Sequence, residues 1–358
     1  MATPMRDARH GIRAASSLGR HPGRGLADLA ATMRERTVTG RLAGLSMLAL
    51  LGLAGASRPA AAQAANHGGG HGGDAIRCVS SKPEIAIAAC TNIIEDKRED
   101  VDSRAIALRN RGFFYQQTGD LDRAIADYTT VLSLSNGHTA RAKTYLNRGL
   151  MYLQKGDDVE ALADYNEAVT LDPKLASAYI DRAALFMKRG DDDLAIADLG
   201  QATLLNPNDA DIYASRGSIY AHRGDQDRAI TDYTKAIELN PANAMAWRGR
   251  GFAYRATGDN ARAAADATEA LRLDPNMAAA RLDLGLSLQG TGNGAQAIAE
   301  FDKAIKLNPR DAQAFKGRGD SYLDLGDRER AIADLSHALS LDAKMISAYI
   351  NRGVAYLG

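Results

Sequence analysis

The sequence predicts an all-α protein built from tandem helix-turn-helix units, and two observations support this prediction. Segments like "RGDQDRAITDYTKAIELNP" at residues 223–241 recur along most of the chain. An alanine in this segment recurs after 38 and 37 residues and then five times at intervals of 34. A constant period of this length is typical of repeat proteins. The alanines are Ala86, Ala124, Ala161, Ala195, Ala229, Ala263, Ala297 and Ala331.

The first helix of a unit is predicted by residues that share one face. Tyr213, Gly217 and Tyr220 lie at i, i+4 and i+7, which places them on one helical stripe. A small residue recurs at the Gly217 position, so two helices are expected to approach closely there, with large side chains opposite. The small residues are Gly112, Gly149, Ala183, Gly217, Gly251, Gly285, Gly319 and Gly353.

A tight turn and a second helix complete the unit. Gly224 can take the left-handed conformation that closes the first helix, and Asp225 can cap the second. Ala229, Tyr233 and Ala236 form the apolar stripe of the second helix. That helix should end at Asn240-Pro241, because proline clashes with a helical residue before it and lacks the backbone donor.

Two charged columns accompany the period. An arginine precedes the small residue in most units, with Leu284 as the exception, and an acidic residue occupies one position of each second helix. Residues repeated in every unit are expected to build the unit, so we predict a ladder of ion pairs. The arginines are Arg111, Arg148, Arg182, Arg216, Arg250, Arg318 and Arg352, and the acidic residues are Asp127, Asp164, Asp198, Asp232, Asp266, Glu300 and Asp334.

The unit resembles the tetratricopeptide repeat (TPR), most clearly in "AWRGRGFAYRATGDNARAAADATEALRLDP" at residues 246–275. The resemblance covers about residues 84–358. It implies an α-solenoid, a right-handed superhelix whose concave face is lined mainly by first helices and typically binds segments of other proteins. We expect seven repeats over 105–345, a half-repeat cap over 78–104 and a C-terminal capping helix over 346–358.

The chain has two cysteines, Cys78 and Cys90, at the start of the repeat region. They predict a disulfide in an oxidising compartment, with two free buried thiols as the alternative. Residues 83–94 align with the second helix of a unit, so we expect a lone second helix there. The bridge from Cys78 would then replace the missing first helix.

Residues 1–64 are predicted to form an N-terminal extension with a secretory signal. Arginines precede the apolar stretch at 42–57, and the small-x-small cleavage pattern Ala62-Gln63-Ala64 follows. The true start could be Met33, and an uncleaved anchor is the alternative, although the stretch is shorter than the roughly 20 residues of a spanning helix. We therefore expect a periplasmic or secreted bacterial protein, with the membrane involved only through a transient signal segment.

The histidine- and glycine-rich composition of residues 65–77 predicts a flexible linker. A second interpretation is a metal site. Cleavage after Ala64 would leave Ala65-Asn66-His67 at the N-terminus, whose nitrogen atoms can surround Cu(II) or Ni(II) in a plane, with His71 as a further ligand. This would make a metal-handling protein the alternative function.

The leading function is a non-enzymatic scaffold that binds a partner protein or peptide in the concave groove. Its variable first-helix positions form an apolar stretch followed by a basic and aromatic patch, which suits a peptide with apolar anchors and an acidic group. Some of these residues could instead only seal one repeat against the next. The groove candidates are Phe113, Leu146, Leu150, Leu153, Ile180, Met187, Arg248, Phe252, Arg255 and Lys316.

Other functions have little support. The enzyme motifs sought are missing, and the one G-x-G-x-x-G pattern, at Gly68, Gly70 and Gly73, follows no predicted strand, so we expect neither catalysis nor a cofactor. The formal net charge is zero, but the first 64 residues hold 9 arginines and 3 acidic residues while the rest of the chain is acidic, and this asymmetry favours export over nucleic-acid binding. The apolar last helix, with Ile350, leaves two possibilities: a chain cut short, or end-to-end stacking on a second copy.

Overall fold

The computed structural model describes residues 72–134 and 137–357, and helices account for most of this part of the chain. Its seventeen helices, with no strand among the described residues, confirm the predicted all-α class. They are α1 Gly72–Arg77, α2 Pro83–Glu95, α3 Val101–Gln117, α4 Leu121–Leu134, α5 His138–Lys155, α6 Asp158–Leu171, α7 Ala176–Arg189, α8 Asp192–Leu205, α9 Ala210–His222, α10 Gln226–Leu239, α11 Ala244–Ala256, α12 Asn260–Leu273, α13 Ala278–Gly290, α14 Gly294–Leu307, α15 Ala312–Asp324, α16 Arg328–Leu341 and α17 Ile346–Leu357.

The helices stack in the order of the chain. Each packs mainly against the helix before it and the helix after it, as in an α-solenoid. We call the odd-numbered helices α3 to α15 first helices and the even-numbered helices α4 to α16 second helices. Each first helix and the second helix that follows it form one unit.

The local signals at the unit boundaries act as predicted. Gly224 has φ +83° at the end of α9, and the Asp225 side chain accepts a hydrogen bond from the Arg228 backbone N–H at the start of α10. Helix α10 ends at Leu239, directly before Asn240-Pro241. Six further glycines with positive φ close the other first helices in the same way, so the turn is part of the repeat.

Close helix approach explains the small residues. A Cβ atom added to Gly149 would lie 2.8 Å from the ring of Tyr165, and one added to Gly285 would lie 2.6 Å from the ring of Phe301. Real Cβ atoms do not come this near to other atoms, so a larger residue would push the helices apart. Ala229 and its equivalents are fully or almost fully buried for the same reason.

The predicted ladder of ion pairs is confirmed. In six units the arginine donates from Nε and Nη2 to both carboxylate oxygens of the aspartate sixteen residues later, over 2.7–2.9 Å. Arg182 also donates from Nη1 to Asn166 of the preceding unit, over 2.8 Å. Each arginine of this kind ties together three helices. The pairs are Arg111–Asp127, Arg148–Asp164, Arg182–Asp198, Arg216–Asp232, Arg250–Asp266 and Arg318–Asp334.

The unit with Leu284 keeps its acidic residue paired by another route. Arg281, one turn earlier on α13, donates to Glu300 over 2.9 Å, and Lys303 donates to the other carboxylate oxygen over 2.7 Å. Hydrogen bonds from these two cations lower the pKa of Glu300, against an opposing effect of burial. Glu300 is therefore paired even though its unit has Leu284 in place of the repeated arginine.

The start of the array differs from the prediction in one respect. Residues 72–77 form the short helix α1, so the linker predicted for 65–77 does not extend to Arg77, and α2 is not a lone second helix. Asn92 of α2 donates to Asp74 of α1 over 3.2 Å, which holds α1 in place. Cys78 and Cys90 form the expected disulfide, and both cysteines are buried.

Other predictions concern residues outside the described part of the chain. These are the secretory signal, its cleavage site after Ala64, and the metal ligands Ala65, Asn66, His67 and His71. No helix in the described ranges is long and apolar enough to cross a membrane. At the other end, Ile350, Val354 and Leu357 on α17 are exposed.

Candidate functional site

The first helices line one side of the array. Five pairs of consecutive first helices, counting α17, contact each other across unit boundaries, whereas second helices show no comparable contact within the described residues. First helices are therefore closer together and form the inner side of the stack. We call the surface of α3, α5, α7, α9, α11, α13 and α15 on this side the inner groove. Its N-terminal half is α3, α5 and α7, and its C-terminal half is α11, α13 and α15.

The apolar groove candidates divide into two groups. Phe113, Leu153, Ile180 and Met187 are partly exposed, on three successive first helices. Leu146 and Leu150 are only 5% and 4% exposed, because they pack in the cores between units. The prediction that these two leucines contact a partner is therefore corrected: they seal one repeat against the next.

The basic patch of the C-terminal half is paired within the chain. Arg248 Nε donates to Asp283 Oδ2 over 2.8 Å, and Arg255 Nη2 donates to Asp283 Oδ1 over 3.4 Å. Asp283 lies on α13 and is 7% exposed, and the guanidinium of Arg255 also lies 5.3 Å from the ring centre of Phe252. The two arginines, predicted as a free site for an acidic group, thus already neutralise a buried carboxylate.

Lys316 is paired in the same half. Its Nζ lies 2.8 Å from Asp320 Oδ2, one turn along α15, and Asn351 donates to the other oxygen of Asp320 over 2.7 Å. The charged candidates of the C-terminal half therefore all have partners within the chain.

The N-terminal half contains a buried acid that sequence reasoning missed. Asp181 on α7 is 6% exposed and makes no hydrogen bond or ion pair with any residue in the described ranges. Burial raises its pKa to about 7. Asp181 in turn helps burial to raise the pKa of Tyr165, whose hydroxyl is buried without a hydrogen-bond partner. The sequence does hold a signal for this acid. The residue directly before the repeated arginine, or before Leu284, is acidic in only two units, at Asp181 and Asp283.

Two further polar side chains of α3 were also missed. Arg109 has no ion pair among the described residues, and burial lowers its pKa. Both amide atoms of Gln116 are buried and have no hydrogen-bond partner. Buried polar groups in folded proteins are nearly always satisfied, so these groups are unusual, as is Arg255 Nε on α11, which is also buried without a hydrogen-bond partner.

Possible metal ligands are not clustered in the described part of the chain. Within the described ranges, no group of three or more histidine, cysteine, aspartate or glutamate side chains is arranged to hold a metal ion. The predicted metal ligands at 65–71 fall outside these ranges, so this statement does not concern them.

Sequence comparison finds repeats of one kind along the array. Profiles described as tetratricopeptide repeat match residues 103–174, 244–277 and 282–346, and a profile described as TPR repeat matches residues 217–258. A search of curated proteins finds no significant match.

Solved structures share the fold at low identity. A tetratricopeptide repeat protein from Parabacteroides merdae has a TM-score of 0.51 and 19% identity, over 70% of this chain and 98% of that one. The C-terminal part of a TPR repeat-containing protein from Cytophaga hutchinsonii has a TM-score of 0.54 and 19% identity, over 67% and 97%. The Pseudomonas aeruginosa pilF protein has a TM-score of 0.52 and 18% identity, over 62% and 99%. These similarities support the fold alone.

Proposed function

Because this chain belongs to the tetratricopeptide repeat family, we propose that it is a non-enzymatic scaffold that binds a segment of a partner protein along its inner groove. One observation carries the proposal. Partly exposed apolar side chains line three successive first helices, at Phe113, Leu153, Ile180 and Met187. They occupy positions that vary from unit to unit, whereas the columns that build the units stay nearly constant.

Apolar side chains of this kind suit partner binding. Removing apolar surface from water favours association, and a few well-placed apolar contacts usually dominate the binding energy. The four residues lie on helices that the arginine ladder ties to their neighbours, so the surface is held in shape before a partner arrives. Preorganisation of this kind lowers the entropy lost on binding.

The unpaired polar groups support a narrower version of the proposal. Asp181, Arg109 and Gln116 all belong to α3 and α7, which also carry three of the four apolar residues. A cationic group of a partner in the N-terminal half would pair with Asp181, whereas Arg248 and Arg255 are already paired with Asp283. We therefore place the partner across α3, α5 and α7.

Site-specific photo-crosslinking tests the proposal. A photoreactive phenylalanine derivative replaces Met187 in the groove or, as the matched control, Val159 on second helix α6, which is 75% exposed. We expect a crosslinked partner band after irradiation of cells with the derivative at 187 and none with it at 159. Equal crosslinking at both positions, or none at 187, would contradict the proposed groove.

We also propose that the protein is exported. The arginine-rich start, the apolar stretch at 42–57 and the Ala62-Gln63-Ala64 pattern support this, and a disulfide is usual in an oxidising compartment. Fusion of residues 1–71 to alkaline phosphatase, which becomes active only after export, should give active enzyme. The same fusion without residues 42–57 is the control and should be inactive.

A further inference from the structure

The inner groove contains two equivalent aspartates in different surroundings. Asp181 and Asp283 hold the same position of α7 and α13, three 34-residue units apart, and are 6% and 7% exposed. Asp283 receives hydrogen bonds from Arg248 and Arg255, which lie on the preceding first helix, α11. Asp283 therefore shows that an acid at this position of the groove can be paired with arginines of the preceding first helix.

Asp181 lacks that cation. The positions of α5 that correspond to Arg248 and Arg255, again three units earlier, are Leu146 and Leu153. Arg182, the next residue of α7, is engaged by Asp198 and Asn166. From α6, Tyr165 contributes a neutral hydroxyl that has no hydrogen-bond partner. Among the described residues, the helices packed around Asp181 thus leave its carboxylate unpaired.

A buried acid without a partner is unfavourable for the folded chain. Burial raises the pKa of Asp181 to about 7, so a substantial fraction is protonated at neutral pH. A positive group nearby would favour the ionised form and make a charge-assisted hydrogen bond. Such an interaction is stronger in a site removed from water than at the surface.

We propose that Asp181 binds a guanidinium or ammonium group of the partner polypeptide, in the place that Arg248 and Arg255 take at Asp283. This inference rests on the proposed function, because it assumes a polypeptide in the inner groove. Leu153 on α5 and Ile180 and Met187 on α7 are apolar and partly exposed. The partner should therefore carry a lysine or arginine with apolar residues beside it.

Selection from a phage-displayed library of random nonapeptides tests the inference. On the wild-type protein we expect peptides in which a lysine or arginine lies beside apolar residues. Asp181→Asn should abolish the preference for a basic residue. Leu153→Arg, which imitates Arg255, should also abolish it, because the chain then supplies its own cation. Asp283→Asn is the matched control and should leave the preference unchanged.

A selected peptide then gives the quantitative test by calorimetry. Replacing its arginine by citrulline, which has nearly the same shape but no charge, should weaken binding to the wild type at least tenfold. The same replacement should change binding to Asp181→Asn less than twofold. Circular dichroism of each variant checks that the helices are intact.

The outcomes separate the two proposals. Selected peptides without a basic residue, or a basic preference that survives Asp181→Asn, would overturn the inference while peptide binding itself stands. Failure to select any peptide on the wild type, together with no crosslink from position 187, would overturn the proposed function and this inference with it.

Discussion

In the C-terminal half of the inner groove, Asp283 is held by two arginines of the preceding first helix, whereas Asp181 in the N-terminal half has leucines at the equivalent positions. Both acids are buried, and both are carried by the same kind of helix in the same kind of unit. The difference shows that the repeat itself does not require a cation at this position. The buried carboxylate at this position is paired within the chain in the C-terminal half and unpaired in the N-terminal half.

The largest effect on stability is expected from substitutions that make the C-terminal half of the groove resemble the N-terminal half. Arg248→Leu with Arg255→Leu would leave Asp283 buried without a partner, which should lower the free energy of unfolding by about 3 kcal/mol. Urea denaturation at pH 7.5, followed by circular dichroism, measures the change. Adding Asp283→Asn to the double variant should restore most of the loss. Without that recovery, the arginines would be acting through packing, and the comparison would fail.

A smaller effect of opposite sign is expected from Asp181→Asn. Its pKa is about 7 in the folded protein, above the ordinary value of 3.8 that applies after unfolding. Between these two pH values the folded form holds a proton that the unfolded form has lost, so stability falls as pH rises through this window. Asparagine does not titrate, so above pH 7 the variant should be more stable than the wild type by about 2 kcal/mol. The whole difference between the folded and unfolded pKa values would correspond to an upper limit of about 4 kcal/mol.

Urea denaturation of both proteins at several pH values from 4 to 8 tests this prediction. The gain should vanish near pH 4, where the carboxyl group is protonated in the folded form. A gain that is independent of pH would show that Asp181 is not an unpaired acid. A gain in stability combined with a loss of peptide binding would mark a residue kept for function at the expense of stability.

Providing Asp181 with an internal cation should stabilise the protein by a smaller amount. Leu153→Arg places a guanidinium at the position equivalent to Arg255 and should add about 1 kcal/mol at pH 7.5, because desolvation offsets much of the attraction. A double-mutant cycle with Asp181→Asn measures the interaction itself. An equal gain in the Asp181→Asn background would mean that Leu153→Arg acts without Asp181.

The fold could be predicted from the sequence because its signals are local and repeated. Gly224, Asp225 and Pro241 determine where helices end, and each acts within a few residues of its own position. Helix α1 was not predicted, since it is short, lies outside the repeat period and is joined to α2 by the hydrogen bond between Asn92 and Asp74. Such contacts have no periodic signature.

The groove could be predicted only in part, for a related reason. The period indicates which columns belong to the first helices, but not which side chains remain free. Arg248 is engaged by a residue 35 positions later, in the next unit, and Leu150 is covered by the core between units. The unpaired state of Asp181 follows from the residues at two positions of α5. It becomes visible when the units are aligned and each acid is compared with its equivalents.

The smallest effect is expected from Lys316→Ala, which removes a partly exposed pair on α15. Ion pairs between residues four apart on one helix contribute little to stability, and Asp320 keeps its hydrogen bond from Asn351. The free energy of unfolding should therefore change by less than about 0.5 kcal/mol. Capture of a selected peptide should be unchanged, because the proposed site lies in the other half of the groove. Surface plasmon resonance measures this, with Asp181→Asn alongside. A loss of peptide capture as large as that of Asp181→Asn would indicate that the peptide also binds the C-terminal half, which contradicts the proposed difference between the two halves.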